Sequence, residues 1–138
     1  MKYLYIIIGF SAMALLASCG TIATRETPTP ALDTALIARG IEVYRAQYCG
    51  SCHTLTAANT RGTFAPSHDG MGATAQARIA SADYSGQATT VEDYIRESLL
   101  EPAVYFVPEY TITQHHMPPY GHLPTDDIDA LVYLLANQ

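Results

Sequence analysis

Cys49-Gly50-Ser51-Cys52-His53 is the stretch on which the reading of this chain turns. The protein has 138 residues and three cysteines, and two of the three stand here as Cys-x-x-Cys directly before a histidine. That pattern is the usual signature of c-type haem attachment. The chemistry accounts for the spacing. Two thiols add across the two vinyl groups of haem, so the sulfurs must sit a fixed distance apart along one edge of the macrocycle. The histidine follows at once, which places its imidazole nitrogen under the iron.

Two other readings use the same side chains. A redox disulfide between Cys49 and Cys52, of the thioredoxin kind, needs a βαβ context, and the sequence shows none. Half of a zinc site needs a partner pair of ligands, and no second cysteine pair exists.

Upstream of the motif, Asp33 is placed to cap a helix. Leu36, Gly40, Tyr44 and Tyr48 recur at four-residue spacing, with Ile37 and Ile41 alongside, giving one apolar face that leads into Cys49. Gly40 inside that helix costs about 1 kcal/mol against alanine, so a packing reason is expected. A second helix is expected from about Thr90 to Leu100, with Thr89 and Glu92 as a capping box and Tyr94, Ile95, Ser98 and Leu99 as its inner face. Pro102 ends it. A third starts near Thr125, where Asp126 and Asp127 complement the helix dipole, and carries Ile128, Leu131, Val132 and Leu135. No stretch alternates convincingly as a strand. Residues 54–88 and 101–124 read as loops, long for a compact domain unless something organises them.

From the haem motif outward, over about Thr34 to the C-terminus, the chain resembles the class I, single-haem bacterial cytochromes c. The resemblance implies an all-α, cytochrome c-like fold: three main helices and long loops around one covalently attached haem c, whose faces supply the missing core. It also implies that Gly40, with an aromatic on the first helix, lets the last helix cross closely, with Tyr133 packed near Gly40 and Tyr44. His53 is then one axial ligand of the iron. Met117, in His115-His116-Met117-Pro118-Pro119-Tyr120 just before the last helix, stands where such cytochromes place the other. The two prolines stiffen that loop, so a thioether is held there with little entropy left to lose. Met71, His68, His115, His116 and His122 are the remaining candidates for the sixth position. Pro66, in Phe64-Ala65-Pro66-Ser67-His68, resembles the family's Gly-Pro turn, whose proline carbonyl accepts the ligand histidine's N–H, although alanine replaces the glycine. His68 stands near the place of a leucine that usually packs on the haem. Pro66 and Tyr120 complete the expected haem contacts.

The N-terminus reads as an address. Met1-Lys2 precedes an apolar run from Tyr3 to Leu16, about 14 residues where a membrane span needs about 20. Leu16-Ala17-Ser18-Cys19 resembles the bacterial lipobox, in which the cysteine receives a lipid. Residues 1–18 are expected to be a lipoprotein signal peptide, 19–32 a lipid-bearing Cys19 with a Thr/Pro-rich linker, and 33–138 the haem domain. The other reading of the first residues is an uncleaved anchor. Either one puts the domain outside the cytoplasmic membrane, on its periplasmic side and tethered to it. The linker, Gly20 to Ala31, spans at most about 40 Å when extended.

Without residues 1–18, whose single charge is Lys2, the net charge moves from −6 to −7 and no lysine remains. Such a surface suits a redox protein with a basic docking face and not a nucleic acid. A six-coordinate His/Met haem has no open substrate site, so the expected function is one-electron transfer in a respiratory or photosynthetic chain, with no catalytic residue. Tyr94 to Pro102, Val107-Pro108 and Met117-Pro118 also resemble cytochrome domains that serve membrane complexes. Examples are the single-haem subunit of quinol-oxidising alternative complex III and the domain fused to some cytochrome oxidase second subunits. The alternative is a haem enzyme or gas sensor, which needs a displaceable sixth ligand and a polar neighbour such as His115 or His116.

Overall fold

Asp33 begins the folded part of the chain as an N-cap: its Oδ1 accepts from the backbone N–H of Ala35 and Leu36 at 2.9 and 3.1 Å. The structure is a computed structural model that describes residues 31–111 and 115–138, and its compact unit runs from Leu32 to Gln138. Four helices follow in order: α1 (Thr34–Ala46), α2 (Met71–Ile79), α3 (Val91–Leu100) and α4 (Thr125–Ala136). Between α1 and α2, β1 (Thr54–Leu55) and β2 (Thr60–Arg61) form a two-stranded antiparallel sheet, with Thr54 opposite Arg61 and Leu55 opposite Thr60.

This corrects the expected fold class. The domain is not an all-α, three-helix cytochrome arrangement but a small mixed one, with four helices and a β-hairpin among the described residues. Helix α2 lies in a stretch read as loop. Its N-cap is Gly70 in the left-handed region (φ 68°), with no side chain accepting a backbone N–H, so no capping signal marks its start. Its body is mostly small residues, and it is held by packing Met71 and Ala75 into the core. The strands are two residues each, too short to show alternation. Asn59, at φ 53°, closes the turn between them, a conformation asparagine tolerates better than most residues.

Helices α1 and α4 form the main interface. A Cβ on Gly40 would lie 2.5 Å from the Ala130 carbonyl oxygen and 2.7 Å from Leu134 Cβ. The close crossing is there, with Ala130 and Leu134 nearest to Gly40, and the Tyr133 hydroxyl accepts from the Asp33 backbone N–H at 2.8 Å, at the N-terminal end of α1. Ile128, Leu131, Val132 and Leu135 are buried as their spacing required, joined by Ala130 and Leu134. On α1 the buried face is Gly40, Val43 and Tyr44. Tyr48 leaves it, because the helix ends at Ala46 and Tyr48 takes φ 55° with 80% exposure. The cap of α3 is Thr90, not Thr89: Thr90 Oγ1 accepts from Asp93 N at 3.1 Å.

Because backbone blocks the space beside Gly40, Gly40→Val is expected to destabilise the domain by about 1–3 kcal/mol. A thermal melt should show a Tm lower by roughly 5–20 °C. An unchanged Tm would mean that the two helices part without cost.

Candidate functional site

After α1 the chain turns sharply. Tyr48 in the left-handed region lets Ser51 N and Oγ donate to its carbonyl at 3.0 and 2.7 Å. Cys49–Ser51 then forms a 3-10 turn, and the N–H groups of Cys52 and His53 donate to the Cys49 carbonyl at 3.2 and 3.0 Å. This tight turn carries both thiols to the lining of one cavity. Neither is in a disulfide and both are half-buried. Gly62, which the sequence reading passed over, makes room behind the turn: a Cβ there would sit 2.4 Å from the Cys52 carbonyl carbon and 2.6 Å from His53 N. No local signal marks it, since the contact is made across the β1–β2 hairpin.

His53 is buried, at 8% exposure. Its Nδ1 donates to the Pro66 carbonyl at 2.7 Å. A carbonyl only accepts, so Nδ1 carries the hydrogen and Nε2 keeps a free lone pair. Burial holds the ring below the ordinary histidine pKa, with the Pro66 carbonyl opposing, which favours the neutral, ligating form. His68 lies flat against it. The two ring centroids are 3.8 Å apart with planes 14° from parallel, and Tyr44 Oη is 3.1 Å from His68 Nδ1.

Cys49, Cys52, His53, Pro66, His68, Met117 and Tyr120 all line one cavity of about 370 Å³. Aliphatic and aromatic side chains from α3, α4 and the segment before the last helix complete it, among them Ile95, Leu99, Tyr105, Phe106, Leu131 and Leu135. Met117 is half-buried and packs on the core. Its segment is fastened to α3, since Tyr120 N donates to the Leu99 carbonyl at 2.8 Å. The Tyr120 phenol stands beside the Cys49 thiol; burial pushes the phenol up to about 12 and the thiol up to about 11. A raised thiol pKa is the opposite of what a reactive redox dithiol needs.

Met71 also lines the cavity, from the first turn of α2, and is only 4% exposed. Its N–H donates to the His68 carbonyl at 3.2 Å, so its backbone follows directly on the His68 turn. His115 and His116 are exposed and also line the cavity, with Phe64 and Phe106 edge-on at 6.0 and 5.4 Å. Of His122, the structure gives a ring contact with Tyr120 at 6.0 Å. Arg78, in the last turn of the unforeseen α2, lines the cavity too and donates to Tyr94 Oη at 3.1 Å.

The residues fit a haem on the structure's own terms. A largely apolar cavity of ligand size carries two unbridged thiols three residues apart, with an imidazole lone pair beside them and a thioether on a separate segment. Among the described residues, no group of three or more His, Cys, Asp or Glu side chains is gathered to hold a bare metal ion, and no helix is long and apolar enough to cross a membrane. Cys19 lies outside the described residues. No family model, no curated protein and no solved structure matches the chain.

Proposed function

We propose that this chain is a single-electron carrier of the bacterial c-type cytochrome kind, holding one haem c through thioethers at Cys49 and Cys52 and through His53 and Met117 at the iron. The observation that carries this reading is the meeting of those four side chains in one apolar cavity. A haem so held supplies one reversible electron. The chain's residues do the rest. Pro66 fixes the tautomer of His53 and raises its basicity. The aliphatic and aromatic part of the lining would cover the faces of the haem. His53 and Met117 would hold the iron, while Met71 is 4% exposed and packed into the core from the first turn of α2. Met117 enters on another segment, and ligation by its thioether raises the potential.

The reading extends to the rest of the chain. A lipid on Cys19 would tether the domain to the periplasmic side of the cell membrane, and the acidic surface would steer a redox partner with a basic face, diffusing or fixed within a respiratory complex. Cys19→Ala is then expected to release the protein from membranes. A mature wild-type chain still starting at Met1 would contradict lipidation.

Potentiometric titration tests the carrier function. A single reversible one-electron wave, with no carbon monoxide binding by the untreated protein, is the expected result. A high-spin spectrum with ready ligand binding would instead favour the enzyme or sensor reading, for which His115 and His116 at the cavity edge are the polar groups at hand.

A further inference from the structure

His68 is held more firmly than a cavity-lining residue requires. Its backbone N–H donates to the Thr54 carbonyl at 2.8 Å, and its own carbonyl accepts from Met71 N at 3.2 Å. Its side chain is anchored at Nδ1, 3.1 Å from the Tyr44 hydroxyl, and Tyr44 is itself 1% exposed in the α1 core. The Tyr44 ring meets the imidazole edge-on, with centroids 5.7 Å apart at 72°. The ring is thus fixed along its edge, and one of its faces lies on His53.

His53 needs such a neighbour. The terminal torsion of a histidine is broad and roughly two-fold. The hydrogen bond to Pro66 restrains one edge of the ring, and hydrogen bonds lose strength only gradually with angle until the misalignment is large. A flat ring in van der Waals contact with one face blocks the twist toward that face far more steeply. Nor does the arrangement make His68 a second ligand of the same iron. The two rings lie nearly parallel, 14° apart with centroids 3.8 Å from each other, so the ring nitrogens of His68 point along its own plane and not toward a position in the plane of the His53 ring.

We infer that His68, clamped by Tyr44, is a positioning residue that sets the rotational angle of the His53 imidazole plane. The inference rests on His53 being a haem ligand and adds to that reading the element that fixes the ligand's orientation. The imidazole plane angle decides which iron d orbitals it meets, so it is read in the g-anisotropy of the low-spin ferric protein.

The test uses the full chain produced with covalent haem, as wild type, His68→Leu, His68→Phe and Tyr44→Phe. Electron paramagnetic resonance and midpoint potential are the readouts. His68→Leu is expected to shift and broaden the g-values and to move the potential. His68→Phe, which restores a flat ring, should return the g-values toward those of wild type. Tyr44→Phe, which removes only the anchoring hydroxyl, should broaden the spectrum with little shift. If His68→Leu does not fold, Tyr44→Phe decides: broadening supports the inference and an unchanged spectrum overturns it. A haem-loaded His68→Leu protein with wild-type g-values overturns it directly, leaving the haem reading intact. A wild-type protein without covalent haem overturns both.

Discussion

Met117→Ala is expected to keep its covalent haem and to lose much of its potential. On the proposed reading, attachment would depend on Cys49 and Cys52, which the substitution does not touch. Without the thioether the iron would take water, or His115 or His116 from the same segment, both of which line the cavity. Either replacement favours the ferric state more than a thioether does. The fall should be on the order of 0.1 V, within the roughly 0.8 V over which axial ligands set haem potentials. The variant should also bind carbon monoxide or cyanide more readily than wild type. Met71→Ala provides the contrast. Met71 is 4% exposed in the core, so its truncation should lower stability by about 2–5 kcal/mol while the potential stays near that of wild type. A Met117→Ala protein with unchanged spectrum and potential would show that the axial assignment is wrong.

The second large effect is expected from Cys49→Ala with Cys52→Ala. The double variant should show no haem staining on a denaturing gel, where wild type stains. The α1–α4 crossing at Gly40 is made against Ala130 and Leu134 and does not use the thiols, so helical content should survive in part. Loss of staining with a wild-type melting curve would mean that the cavity is stable without its occupant. Persistent staining would mean that neither thiol holds the haem.

What could be read in the sequence divides along physical lines. Helices α1, α3 and α4 each carry a local signature: Asp33 as cap, Thr90 within one residue of the expected cap, and acidic residues ahead of an apolar stripe on α4. The cavity residues Cys49, Cys52, His53, Pro66, Met117 and Tyr120 were legible because the haem motif and the proline-rich segment are patterns in the chain itself. Helix α2 was not, since a glycine cap in the left-handed region offers no side-chain acceptor and alanines give little periodicity. Tyr48 was misplaced because an i+4 pattern continues on paper past the residue where the backbone turns. Gly62 and the His53–His68 stack have no local signal, as both arise where segments distant in the chain are brought together.

The central claim, that Cys49, Cys52 and His53 hold a covalent haem, is tested most directly by the intact mass of the mature protein. It should be made in cells that attach c-type haem, then denatured and treated with a thiol-alkylating reagent. The account predicts a chain heavier by one haem, with neither Cys49 nor Cys52 alkylated. A chain of bare mass whose two thiols alkylate, at once or only after a disulfide between them is reduced, would contradict it.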